Sequence, residues 1–284
     1  MGAGVTEVDV RLDDGRALHA YDTVPEGGDD RLAVFWHHGT PNTGAPPAPL
    51  VAAAERLGLR WVSYDRPAYG GSTPHPGRSV GSAAGDVAAV ADALGIDRFA
   101  VMGHSGGGPH ALACAALLGE RVVAVVAASA LAPYGADGLD WFDGMTASGV
   151  AALQAALAGR EAIERLAASG AEYDPEFTEA DLAALRGEWA WMLEVVNAAM
   201  AGGPDGQIDD DLSYVRPWGF DVADVRCPVL LHHGARDRIA PVAHARWLAE
   251  HCPDAELRVF DDDGHVSVLT KSPEALEWLR TVAA

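Results

Sequence analysis

Lysine is nearly missing from this chain: Lys271 is the only one among 284 residues. All basic residues together number 20 against 41 acidic ones, for a formal net charge of -21. That balance argues against a basic footprint, so no nucleic-acid partner is expected. An acidic surface favours solubility and repels anionic substrates at long range. Cysteine is also scarce. Cys114, Cys227 and Cys252 form no CxxC pair, and one is left over from any disulfide, so a reducing, cytoplasmic setting is expected. No apolar run approaches the roughly 20 residues that cross a bilayer. The stretch from Met1 to Leu12 carries Glu7, Asp9 and Arg11 and has no apolar centre, which does not fit a signal peptide. Repeats of fixed period and low-complexity tracts are absent.

What is present is apolar and patterned. Hydrophobic residues make up 49% of the chain, ample for a sizeable core and too many for disorder. Val5 to Leu12 and Ala17 to Val24 alternate in polarity around Asp13-Asp14-Gly15, which predicts a β-hairpin. Short apolar runs at Leu32–Trp36, Trp61–Tyr64, Phe99–Met102 and Val122–Ala128 read as buried strands. Between them Pro49–Leu57, Val80–Leu94 and Pro109–Leu118 have helical spacing, with Gly95 ending the second. Strands alternating with helices imply a parallel sheet covered on both faces.

The alternation stops after Val122–Ala128. From about Pro133 to Phe220 the pattern is helical, in Val150–Leu157, Arg160–Ala168 and Glu179–Met200. Sheet-type alternation resumes at Val229–His233, followed by a helix from Val242 to His251, a strand at Leu257–Phe260 and a helix at Pro273–Val282. The expected organisation is a sheet domain from residues 1–132 and 221–284, interrupted by a helical insertion at 133–220.

The strongest local signal is Gly103-His104-Ser105-Gly106-Gly107, a G-x-S-x-G placed between a strand and a helix. A chain that reverses so sharply brings the residues two either side of the serine together, and glycine removes the side chains that would collide. The exposed hydroxyl is a candidate nucleophile, and the following helix aims its N–H groups and dipole at developing negative charge. A phosphate-binding turn is disfavoured, because neither G-x-G-x-x-G nor a Gly-Lys-Ser/Thr sequence is present. Two backbone N–H groups should hold the oxyanion: that of Gly106, after the nucleophile, and that of Thr40 in the loop His37-His38-Gly39-Thr40-Pro41. Adjacent histidines on an extended segment point to opposite faces, so His37 and His38 are not expected to share a metal, and no metal site is assigned.

The general base should sit on a late loop, where Asp263-Gly264-His265 follows the last strand. His104 adjoins the serine and is expected to point away from it. The acid that orients His265 is expected to be Asp237, after the strand Val229–His233. Asp261, Asp262 and Asp263 are rivals too near His265 on its own loop, and Asp137, after an earlier strand, is another.

Taken together, His38-Gly39, Tyr64 to Ser72, Gly103 to Gly107, Gly234 to Asp237 and Gly264-His265 give the chain a family likeness. It resembles the α/β-hydrolase superfamily over nearly its whole length, with the same order of serine, acid and histidine. Asp65-Arg66-Pro67-Ala68-Tyr69-Gly70-Gly71-Ser72 is similar to the D-x-R-G-x-G-x-S loop of the proline iminopeptidase, haloperoxidase-like and esterase branches. Pro67 stands at the usual glycine, and His38-Gly39-Thr40-Pro41 replaces the His-Gly-Gly-Pro-Gly loop of the iminopeptidases. Serine at the nucleophile position disfavours the epoxide hydrolase and haloalkane dehalogenase branches, which use aspartate there. The resemblance implies an α/β fold with a mostly parallel central sheet, helices on both faces and a helical cap at 133–220. Tyr134, Trp141, Met145 and Trp189 of that block are candidate pocket residues.

The expected activity is hydrolysis of a small, largely apolar carboxylic ester by Ser105, Asp237 and His265, without a cofactor. A small-molecule ester is the expected partner, with no nucleic acid and no membrane; the oligomeric state is left open. An aminopeptidase of the proline-iminopeptidase type, a lactonase, a carbon–carbon bond hydrolase and a perhydrolase are the enzymatic alternatives, and a small-ligand sensor the non-enzymatic one.

Overall fold

The computed structural model describes residues 4–23 and 31–283. The predicted hairpin is present as β1 (Thr6–Arg11) and β2 (Ala17–Asp22), paired antiparallel in a register that sets Arg11 opposite Ala17. The last residue assigned to it from sequence, Val24, lies outside the described residues. Six further strands follow: β3 (Leu32–His37), β4 (Leu59–Tyr64), β5 (Phe99–His104), β6 (Val122–Ala128), β7 (Val229–Gly234) and β8 (Ala255–Phe260). They form one sheet of order β1-β2-β4-β3-β5-β6-β7-β8. β2 meets β4 antiparallel, and every pairing from β4 to β8 is parallel. This is the mostly parallel α/β architecture expected.

The central strands are apolar on both faces because both faces are covered. Phe35, Phe99, Val101, Val125 and Leu231 point into one core cluster, and Val34, Trp36, Met102, Val126 and Leu230 into the other. The first cluster is closed by α2 (Ser82–Ala93), α3 (Gly107–Leu118) and α9 (Val242–His251); the second by α1 (Val51–Leu57) and α10 (Ser272–Val282). Strand periodicity of two thus sorts each strand between two cores.

Between β6 and β7 the chain runs through five helices: α4 (Ala147–Ala158), α5 (Arg160–Ala168), α6 (Glu179–Arg186), α7 (Trp191–Ala201) and α8 (Asp205–Tyr214). Thr146 caps α4 by accepting from the Gly149 N–H (3.1 Å). Thr178 and Asp181 form a reciprocal capping box on α6. Two details depart from the sequence reading. The single helix expected over Glu179–Met200 breaks at Gly187 into α6 and α7, with a short 3₁₀ turn at Glu188–Ala190 between them. And α8 was not anticipated, since Asp209-Asp210-Asp211 has neither apolar periodicity nor good helix propensity. That helix is held by tertiary contacts instead.

Candidate active site

Ser105 occupies the turn between β5 and α3 with φ of +54°, a left-handed conformation that L-residues other than glycine seldom adopt. Its N–H is held by the Ala128 carbonyl at the end of β6 (2.8 Å), and its carbonyl accepts from Gly108 (2.9 Å). A Cβ on Gly103 would overlap the Gly107 carbonyl, as the steric argument requires. A Cβ on Gly107 would instead strike the His37 carbonyl at the end of β3. Gly107 is therefore required by the neighbouring strand and not by Gly103.

His265 and Asp237 meet across two loops, Nδ1 to Oδ2 at 2.8 Å. Asp237 is fully enclosed and also accepts from the backbone N–H groups of Ile239 and Ala240, both at 2.9 Å. Burial alone would raise its pKa. The charge and hydrogen bond of His265, the nearby His233 and the Ala240 bond more than offset that and hold it down to about 2. The carboxylate is thus ionised against His265. The rival acids are elsewhere: Asp262 pairs with Arg236 at the surface, Asp263 lies 3.8 Å from Lys271, and Asp137 is exposed. His104, expected to point away from the serine, packs against the histidine loop. Its Nε2–H donates to the His265 carbonyl (2.9 Å), and its ring lies 4.9 Å from that of His265. Burial, then the adjacent imidazole, pushes its pKa down to about 3, so it braces the histidine loop as a neutral ring.

Ser105, His265, Gly106 and Thr40 all line one cavity of about 440 Å³ between the sheet and four of the inserted helices, α4, α6, α7 and α8. Its walls are mostly apolar, with Leu153, Phe177, Leu185, Met192 and Val196 among them. Tyr173, Leu193 and Met200, three of the more exposed large side chains of the molecule, also line it. None of Tyr134, Trp141, Met145 and Trp189 does, which corrects their assignment as pocket residues. Trp141 is 4% exposed, donates its indole N–H to the Ala132 carbonyl (2.8 Å) and packs on Tyr134, Phe142 and His244. Met145 is buried in the first core cluster, and Trp189 is buried beside Trp191. Their large apolar areas serve packing.

A family model described as alpha/beta hydrolase fold matches residues 33–272. The chain belongs to the α/β-hydrolase family. A pimeloyl-[acyl-carrier protein] methyl ester esterase of Aromatoleum aromaticum is 44% identical over 73 residues, which are 26% of this chain and 27% of that protein. The matched stretch thus spans about a quarter of that relative's length. A non-heme chloroperoxidase of Streptomyces lividans is 29% identical over 278 residues, covering 94% of this chain and 95% of that one. The solved structure of a thermophilic esterase from Thermogutta terrifontis superposes with a TM-score of 0.69 at 21% identity, covering 98% of this chain and 100% of that one. At that identity the likeness is one of fold.

In this α/β-hydrolase the inserted helices also supply residues that the sequence reading missed. Asp181, at the start of α6, accepts from the backbone N–H groups of Val266 and Ser267, each at 2.8 Å, directly after His265. Burial would raise its pKa, but those bonds and the ones from Thr178 hold it below the usual carboxylate range. Asp210, on α8, sits between two guanidinium groups, Arg66 and Arg78, each at 2.6 Å. It also accepts from the hydroxyls of Thr40 (2.5 Å) and Tyr69 (2.9 Å). Arg66 in turn donates to the carbonyls of His38 and Gly39. Burial opposes the Asp210 charge, and the two arginines more than restore it, holding the carboxylate well below its ordinary range. The loop motif Asp65–Ser72 now has a physical reading. Asp65 closes its own turn by accepting from Gly44 (2.6 Å) and Gly71 (2.9 Å), while Arg66 clamps the Thr40 loop onto α8. The inserted block thus also arranges the catalytic loops, a role that the sequence does not disclose. Asp181 holds the histidine loop, and Asp210 the loop that carries Thr40.

Proposed function

We propose that this protein is a serine hydrolase that cleaves a carboxylic ester through an acyl-enzyme on Ser105. The observation that carries the reading is the convergence of a strained, glycine-flanked serine and a buried Asp–His pair on one apolar cavity. His265 takes the Ser105 hydroxyl proton as the oxygen attacks the ester carbonyl. Asp237, ionised and tied to Nδ1, holds the ring with Nε2 free for that proton and stabilises the imidazolium. The N–H groups of Gly106 and Thr40 receive the oxyanion. His265 then returns the proton to the departing alcohol and activates the water that hydrolyses the acyl-enzyme. The inserted helices act as a cap: they wall the cavity, select small apolar substrates and exclude bulk water during the reaction. The short match to a methyl ester esterase supports an ester substrate, and the three free cysteines, two of them buried, fit a cytoplasmic setting.

The test is turnover of p-nitrophenyl acetate and butyrate by the wild type and by Ser105→Ala, together with labelling by a fluorophosphonate. Ser105 should carry the adduct, and Ser105→Ala should lose several orders of magnitude in kcat while keeping its fold. An adduct mapped to another residue, or saturable binding without turnover, would refute the assignment.

A further inference from the structure

Asp209, Asp210 and Asp211 are consecutive on α8 and all buried, at 4%, 0% and 9% exposure. Helical geometry turns each about 100° from the last, so the three carboxyls face three directions. Asp209 pairs with Arg160 of α5, and Asp210 with Arg66 and Arg78. Asp211 faces the cavity, in line with Gln207 and Tyr214 one helical turn to either side. Among the described residues it has no hydrogen-bond or ion-pair partner. Its carboxyl opens onto the cavity and is free to meet whatever occupies it.

We infer that Asp211 is the recognition site for a cationic nitrogen on the substrate, so that the preferred ester is an apolar one carrying an amine or quaternary ammonium group. The inference rests on the ester reading above for the reaction but not for the binding. Four observations carry it. No lysine or arginine lines the cavity, and the three guanidinium groups that reach α8 are committed to other carboxylates, Arg66 and Arg78 to Asp210 and Arg160 to Asp209. The aromatic residues Tyr173, Phe177 and Tyr214 line the same cavity, and aromatic rings attract cations. The chain's charge of -21 draws cations in and keeps anions out. Burial, and then the negative charge of neighbouring Asp210, push the Asp211 carboxyl up to about 8, and a cation placed beside it supplies the counter-charge that its ionised form lacks. A bound cation displaces that proton and leaves an ion pair in a largely apolar cavity.

The groups facing Asp211 are Asp210 on its own helix, Tyr173 from the segment before α6, Tyr214, and His104 and His265 across the cavity. A ratio of two substrates cancels the titration of the last two, because both substrates need the same catalytic groups. The experiment therefore compares p-nitrophenyl esters whose acyl chains of graded length end in trimethylammonium with those ending in tert-butyl, the uncharged isostere. In the wild type the best pair should favour the cation by at least about tenfold in kcat/KM at pH 8. That preference should shrink about tenfold per pH unit below the Asp211 pKa, where a proton must be expelled to admit the cation. Asp211→Asn should bring the ratio close to one and remove its pH dependence. The same ratio is read by calorimetry from binding of the matching primary amides, which needs no ester turnover. No cation preference at any chain length, in turnover or in binding, overturns the proposal. So does a preference that is flat with pH or unchanged in Asp211→Asn. Failure of all esters with a cation preference intact in the amides would overturn the ester reading and leave this one standing.

Discussion

The buried, unpartnered Asp211 makes a prediction about stability that needs no substrate. In the unfolded chain its carboxyl titrates near 3.8, and in the native protein it is held up to about 8. The native state thus binds this proton more tightly than the unfolded one. Its contribution to stability is fully present below the unfolded pKa and is lost as pH rises through the folded one. Each pH unit between the two values costs about 1.4 kcal/mol, so the loss approaches roughly 5 kcal/mol by about pH 8. A total stability on the order of 5–15 kcal/mol makes that a large share. Asp211→Asn keeps the shape and removes the titration. Urea unfolding of both proteins at intervals from about pH 5 to pH 9 should show the difference in unfolding free energy moving in favour of the variant by about 1.4 kcal/mol per unit, then levelling above about pH 8. The groups coupled to Asp211 stay in one form across this range, Asp210 ionised and Tyr173 protonated, so the divergence of the two curves reports Asp211. The asparagine amide shifts the offset between the two curves but not their divergence. Parallel curves would mean that Asp211 is ionised throughout, and the account of its surroundings would be wrong.

Asp237→Asn should lower kcat by on the order of 10³–10⁴-fold through the wrong histidine tautomer. Because the Asp237 carboxyl is held down to about 2, the wild type should also lose the stability it supplies as pH falls from about 4 through about 2, and acid unfolding of the variant should lack that component. Asp210→Asn leaves Arg66 and Arg78 buried without a counter-charge and should cost about 3–5 kcal/mol in urea unfolding. The kcat of the folded fraction should fall with it as the Thr40 loop loosens, and an undiminished kcat would show that the loop is held by other means. Met192→Ala should cut kcat/KM for a p-nitrophenyl octanoate more than for the acetate, by up to about 1–3 kcal/mol of discrimination, since Met192 lines the cavity. Trp141→Ala should instead scale both esters alike and lower Tm, and selective change in Trp141→Ala would reverse the roles assigned to the two side chains.

What the sequence determined by itself was local or ordinal. The turn at Ser105 was legible because its requirement is steric and spans five residues, so the glycines mark it wherever the chain lies in space. The parallel sheet was legible because strands covered on both faces carry apolar runs: β6 is apolar throughout, β3, β5 and β7 are so up to the histidines near their ends, and β4 is interrupted only by Arg60 and Ser63. Asp237 and His265 could be picked out by their places after successive strands, though the bond between them is a fact of folding. The inserted block was readable as helical and no further. A run of three aspartates reads as a solvated face, and bulky aromatics read as pocket lining. Tertiary structure decided otherwise in both cases. The partners of Asp210 lie 144 residues away at Arg66, and those of Asp181 lie 85 and 86 residues away at Val266 and Ser267. No window of sequence contains both ends of such a contact. The reading of Asp211 depends on the same fact: on a helix, one residue's step changes the neighbour a side chain meets, and only the packing around α8 fixes which carboxyl finds an arginine and which faces the cavity.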